Sequence, residues 1–143
     1  MVLPVTSFTL KNSLAELDVL AEKVEGFCKA VGASRKIVFQ AKLALEEIFV
    51  NIVSYGYKDE KEHRICITLS LEGEALVVRV EDDAVPFNPL EAGTPDLECS
   101  IEDSPIGGLG LHLTKNVMSE MSYSRCHDKN VLTLKKKINA AAG

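Results

Sequence analysis

Several things are missing from this chain of 143 residues, and each absence excludes a class of protein. No apolar run approaches the roughly 18 residues that span a bilayer. The opening stretch MVLPVTSFTLKNS has no basic region followed by an apolar core, so neither an anchor nor an export signal is expected, and a cytoplasmic protein is. Lys and Arg are scattered except at Lys135 to Lys137, and the net charge is −5. A nucleic-acid partner normally demands a basic stripe, so none is expected. Cys28, Cys66, Cys99 and Cys126 lie far apart with no CxxC pair, which excludes zinc-ribbon and thioredoxin-like chemistry. In a reducing compartment these thiols stay free. Cys28 and Cys66 fall at apolar-patterned positions and are expected to pack in the core. No internal repeat is visible.

What is present is an ordinary globular balance, 46% apolar and 26% charged, in a length that fits one domain over residues 1–143. Val5 to Leu10 alternate as a short strand. Ser13 followed by Glu16 reads as a capping box, in which each side chain satisfies a free amide of the first turn. Leu14, Leu17, Leu20, Val24, Phe27 and Val31 then recur at helical spacing, predicting a helix from about Leu14 to Val31 that stops at Gly32. A second helix starts after Ser34, a good N-cap, and runs to about Tyr55 and Gly56. RICITLSL and ALVVRVED alternate as strands, joined by a hairpin around Gly73. From Asp82 to Gly110 the pattern breaks down, and a segment this long without periodicity is a functional lid or a linker. LGLHLTKNVMSEM predicts a third helix. SYSRCH, a DKN turn and VLTLKKK close the chain as a second hairpin, and NAAAG reads as a frayed tail. The order β-α-α-β-β-lid-α-β-β predicts a two-layer α/β sandwich, with helices covering one face of a mixed, mostly antiparallel sheet.

The second helix carries polar residues among apolar ones. At about 100° per residue, Gln40, Ala44, Glu47, Asn51 and Ser54 share one narrow strip with apolar residues on both flanks. Two interpretations stay open on periodicity alone. Glu47 and Asn51 form either a solvated i,i+4 pair or the floor of a cleft. In a cleft, Asn offers a neutral oxygen to Mg²⁺ beside waters and phosphate oxygens, and Glu can orient or deprotonate a nucleophile.

Farther along, GGLGLHL (Gly107 to Leu113) opens the third helix with glycines, which let a helix N-terminus approach an anion closely. It matches neither the GxxxxGK[ST] loop nor GxGxxG after a strand. Asp82 and Asp83 stand where a strand ends, a place that serves a metal ion, a loop cap or the amino group of a base. Surface or packing roles are expected for His63, His112 and His127.

The order of these features resembles the GHKL ATPases, with their histidine-kinase-like, Bergerat-type ATP-binding fold. Within them the chain looks most like the bacterial anti-sigma factor serine/threonine kinases of the RsbW and SpoIIAB type. ALEEIFVNIVSYGY resembles their first ATP box, VEDDAVPFNP the DxGxG box, GGLGLHL the second glycine box and NVLTLKK the closing strand. The resemblance implies that Asn51 binds Mg²⁺ bridging the ATP phosphates and that Glu47 is the base for an incoming serine hydroxyl. Asp82, or Asp83 one position on, would accept from the adenine amino group, with Ala84 beside it. Gly107, Gly108, Leu109, Gly110 and Leu111 would lie against the nucleotide, behind an ATP lid at about residues 88–106. The partner implied is an anti-anti-sigma protein of the STAS type. A sigma factor as second partner and a homodimer through the first helix are further implications. No phospho-acceptor histidine domain accompanies the ATPase motifs.

Two features depart from the family pattern. Asp82-Asp83-Ala84-Val85-Pro86 replaces both glycines of the DxGxG box. The Ala84 methyl is expected to crowd a closely approaching ring, and Pro86 has a fixed φ and no amide donor. The stretch from Asn88 to Gly110 has no Lys or Arg, so charge compensation of a γ-phosphate falls to Mg²⁺, backbone amides or a residue from elsewhere. The alternative function in keeping with these departures is a nucleotide-dependent regulatory binding module without kinase activity.

Overall fold

The computed structural model describes residues 5–87 and 118–138. The expected lid, Gly107 to Leu111 and most of the expected third helix lie outside the described residues, but its last residues are not helical: Met118 and Ser119 form a bend, and Glu120 and Met121 already open the next strand.

Strand β1 (Val5–Lys11) leads through a 3-10 turn at Leu14–Glu16 into helix α1 (Leu17–Ala30). The capping box forms only in part. Ser13 Oγ accepts from Ala15 N, but Glu16 Oε2 accepts from Lys11 N, upstream of the cap. The backbone N–H of Ser13 is already held by Lys11 O, so it is not available to Glu16. Gly32 ends the helix with φ +77°, a left-handed conformation that glycine adopts without a Cβ penalty. Helix α2 (Arg35–Tyr55) starts at Ser34, whose Oγ accepts from Ile37 N, and closes with Gly56 N donating to Ile52 O.

Strands β2 (Arg64–Glu72) and β3 (Ala75–Asp82) form the expected hairpin around Gly73, at φ +58°. Strands β4 (Glu120–Cys126) and β5 (Lys129–Lys137) form the second hairpin. Its turn sits one step earlier than the DKN pattern suggested. His127 and Asp128 take the positive φ values, and Lys129 and Asn130 already belong to β5. The sheet order is β1-β2-β3-β5-β4. All its pairings among the described residues are antiparallel, in keeping with the mostly antiparallel sheet expected.

Alternation decides which side chains reach the helices. Ile65, Ile67 and Leu69 of β2, Leu76, Val78 and Val80 of β3, and Leu132 and Leu134 of β5 point inward and are buried. They meet Leu20, Val24 and Phe27 of α1 and Ala41, Ala44, Leu45, Ile48 and Phe49 of α2 in one core. Fully burying each large apolar side chain contributes about 1.5–3 kcal/mol. Cys28 belongs to this core, and burial pushes its thiol up to about 11, so it stays an inert packing residue. Cys66 does not. It lies on the opposite face of β2, half-buried, with Sγ 3.7 Å from Thr9 Oγ1. Lys42 and Glu25 join α2 to α1 at 2.5 Å.

Candidate functional site

The inward rows of β3 and β5 continue past the apolar core and turn polar at the same end. Two residues beyond Val80 stands Asp82, and two before Leu132 stands Asn130. The sheet register places them opposite one another. Each is only 5% exposed. Polar groups buried this deeply need hydrogen-bond partners, and both have them. Asn130 Nδ2 donates to Asp82 Oδ1 at 2.9 Å and to Val85 O at 2.9 Å, with Ala84 O a weaker third acceptor at 3.4 Å. Asn130 Oδ1 accepts from Phe87 N at 3.3 Å and from the Tyr123 hydroxyl.

The turn after β3 is thereby clamped. Ala84 N donates to Asp82 Oδ1 at 3.0 Å, and Arg125 Nη1 donates to Ala84 O at 2.8 Å. Val85 N donates to Gly56 O at 3.0 Å, which ties the turn to the end of α2. A Cβ built on Gly56 would lie 2.6 Å from Ile52 O and 2.7 Å from the Ala84 methyl. Glycine is needed there for space, since its φ of −80° suits any residue. The Ala84 methyl thus fills the gap that Gly56 leaves.

Between this turn, the end of the sheet and α2 lies a pocket of about 250 Å³. Ile48, Ile52, Val85, Phe87 and Leu132 give it apolar walls, and Asn51, Asp82, Tyr123 and Asn130 supply polar groups. Asp82 Oδ1 is occupied by Asn130 and Ala84, while Oδ2 takes no hydrogen bond among the described residues. Burial holds the Asp82 carboxyl above the usual carboxylate range. The hydrogen bonds from Asn130 and Ala84 oppose that, the charge on Asp83 adds to it, and Arg125 counters it. Apolar walls around one buried acceptor suit a flat ring bearing an N–H donor.

Of the residues singled out from the sequence, Asn51 faces this pocket and is 8% exposed. Its Nδ2 donates to Glu47 O at 2.7 Å, which fixes the amide, and Oδ1 takes no hydrogen bond among the described residues. The polar strip on α2 is therefore not a uniformly solvated stripe: Ala44 and Asn51 are buried and Ser54 is exposed. Glu47 is half-buried one turn before Asn51 and is not part of the pocket lining. Ala84 lines the pocket. Asp83 turns away from it, with Oδ2 3.1 Å from His63 Nδ1. Gly107, Gly108, Leu109, Gly110 and Leu111 lie outside the described residues.

Sequence reasoning missed Asn130, Tyr123, Arg125 and the packing role of Gly56. One signal for Asn130 was present. Counting back by two from the inward Leu134 and Leu132 lands on Asn130, but the DKN motif had assigned it to a turn.

The chain resembles known proteins in sequence and in fold. A serine/threonine-protein kinase BtrW from Bordetella bronchiseptica is 31% identical over 101 residues, 71% of this chain and 71% of that protein. A serine-protein kinase RsbW from Listeria monocytogenes is 28% identical over 102 residues, 68% of this chain and 65% of its own length. A crystal structure of the RsbU and RsbW domains of a Mycobacterium tuberculosis protein superposes with a TM-score of 0.63 at 16% identity, over 94% of this chain and 32% of that one. At that identity the superposition establishes the fold, a five-stranded antiparallel sheet with helices on it. The family model of the histidine kinase-like ATPase domain matches residues 10–136, nearly the whole chain, and the chain belongs to that family.

Proposed function

We propose that this chain is a single-domain, ATP-dependent serine/threonine protein kinase of the anti-sigma type, working in the cytoplasm. Its substrate is a serine on a STAS-type anti-anti-sigma protein, and a sigma factor is its second partner in a partner-switching pathway. The observation that carries this reading is the buried Asp82, which among the described residues presents an oxygen without a hydrogen-bond partner in an apolar pocket whose lining also includes Asn51. The kinase names borne by the relatives from Bordetella and Listeria point the same way. Cys28, Cys66 and Cys126 carry free thiols, in keeping with a reducing compartment, and among the described residues no helix is long and apolar enough to cross a membrane.

Each residue has a task in this reading. Asp82 accepts the N–H of the adenine amino group, between the apolar walls that hold the ring. Asp83, turned toward His63, is not the base reader. Asn51 would hold Mg²⁺ through Oδ1, and the ion would supply neutralisation of the phosphate charge. One neutral protein oxygen suits a cation that keeps its waters and phosphate oxygens. Glu47 takes the proton of the incoming serine hydroxyl. Gly107, Gly108, Leu109, Gly110 and Leu111 lie along the nucleotide under a lid at about residues 88–106.

Mg²⁺-dependent transfer of the γ-phosphate to a cognate STAS-domain protein tests the proposal. Glu47→Gln should keep ATP binding within about threefold and slow transfer by roughly 10²–10⁴, the range of general-base catalysis. Wild-type protein that binds ATP and the partner but transfers no phosphate would leave the second reading, a nucleotide-dependent binding module. The absence of Lys and Arg between Asn88 and Gly110 favours that alternative.

A further inference from the structure

The loop joining α2 to β2 carries a second polar cluster, next to the pocket but outside its lining. His63 places both ring nitrogens against carboxylates. Nε2 is 2.7 Å from Asp59 Oδ1, and Nδ1 is 3.1 Å from Asp83 Oδ2. Asp59 belongs to the same loop, whereas Asp83 follows Asp82 in the turn after β3. The ring stacks on Tyr57 with centroids 4.2 Å apart and planes 18° from parallel. The backbone is anchored as well: His63 N donates to Asn12 Oδ1 at 2.8 Å, and His63 O accepts from Asn12 N at 3.1 Å.

Counting donors decides the charge. A neutral imidazole has one N–H, and an ionised carboxylate only accepts. Two carboxylates on the two ring nitrogens are both satisfied only when His63 is an imidazolium. The groups facing it are Asp59 and Asp83 at the ring edges, Tyr57 on the ring face and Asn12 at the backbone, with Lys61 acting on Asp59. The hydrogen bonds to Asp59 and then Asp83 raise the His63 pKa above its ordinary 6.5, against the opposing effect of burial. Burial and the charges of Asp82 and Asp83 push the Tyr57 hydroxyl upward, so it stays neutral across the same range.

We infer that His63 is a positioning residue for the base end of the cleft: as an imidazolium it ties the α2–β2 loop to Asp83, and so holds the turn that carries Asp82. This rests on the proposed role of Asp82 as base reader. Electrostatics adds a second link. Burial first, and then the charge on Asp83, raise the Asp82 pKa, and a cation on His63 sits directly against that Asp83 carboxylate. Nucleotide affinity then follows the protonation of His63.

The test pairs two measurements on the full chain, wild type against His63→Gln and Asp59→Asn. NMR titration of the His63 ring gives its midpoint, and calorimetry with Mg²⁺-ADP from about pH 6 to 9 gives affinity. The wild-type midpoint should lie above 6.5 and fall in Asp59→Asn. Affinity should drop about threefold to tenfold as pH rises through that midpoint, the modest size of a partly exposed ion pair. The drop should move to lower pH in Asp59→Asn and be missing in His63→Gln. A midpoint at or below 6.5, or a wild-type pH profile retained by His63→Gln, overturns the inference alone. Wild-type protein that binds no nucleotide at any pH overturns the base-reading role of Asp82 and this inference together.

Discussion

Asn130 Nδ2 lies 2.9 Å from Asp82 Oδ1, a hydrogen bond between residues 48 apart in sequence that the β3–β5 register sets face to face. It is the centre of a buried network that also holds Val85 O, Phe87 N and the Tyr123 hydroxyl. Asn130→Ala removes the shared partner of these groups and leaves the buried Asp82 with one donor fewer. Leaving buried polar groups unpaired costs about 1–3 kcal/mol, so a loss of about 2–3 kcal/mol is expected. Urea denaturation should show it as a lower midpoint at unchanged slope. A midpoint equal to that of wild type would mean that the network is not worth what its burial suggests.

Asp82→Asn separates recognition from stability. Burial raises the Asp82 pKa, so the folded state disfavours its charge. The sign follows from linkage: the destabilisation is absent below the ordinary value of 3.8, grows as pH rises through the folded value, and persists above it. The asparagine can still accept from Asn130 and Ala84 through its oxygen. Its melting temperature at pH 7.5 should therefore match or exceed wild type, and the gain should vanish near pH 3.5. Adenine nucleotide affinity should fall roughly 10- to 100-fold, because an NH₂ then meets the NH₂ of the base. Undiminished affinity would remove Asp82 from base recognition.

Asn51→Ala should abolish the Mg²⁺-dependent part of nucleotide affinity with little effect on folding. Among the described residues the one hydrogen bond lost is Nδ2 to Glu47 O, within one helix. Calorimetry with and without Mg²⁺, beside a thermal melt, reads both effects. A drop of several degrees in the nucleotide-free protein would make Asn51 a structural residue instead.

Gly56→Ala tests the fit between α2 and the turn. The added Cβ would meet Ile52 O at 2.6 Å and the Ala84 methyl at 2.7 Å. Overpacking of this kind costs about 1–3 kcal/mol. Combining it with Ala84→Gly removes the second clash but not the first, so recovery should be partial. A single variant as stable as wild type, judged by thermal melting, would show that the turn moves freely from the helix.

Much of the fold was legible because it rests on local rules. Ser34 and Gly32 mark helix ends through their own side chain or lack of one. The alternation in β2 and β3 marks the inward rows, and Ile65, Ile67, Leu69, Leu76, Val78 and Val80 are buried, while Leu71 at the strand's end is only half-buried and Val77 of the other row is buried too. The helix wheel isolated Asn51 but left open whether it faced solvent, since a wheel has no partner for either flank. The capping box was half right because Glu16 found Lys11 N rather than Ser13 N. Phe39, on an apolar flank of the α2 wheel, is 66% exposed.

The sequence by itself determined the elements, their caps and the period of each apolar face, because these depend on residues within a turn or a strand of one another. The tertiary structure alone decided that Asn130 meets Asp82 and that His63 reaches Asp83. Those encounters require a register between strands, or a loop laid against a turn. Such an arrangement is set by burying the whole core at once, and no local pattern encodes it.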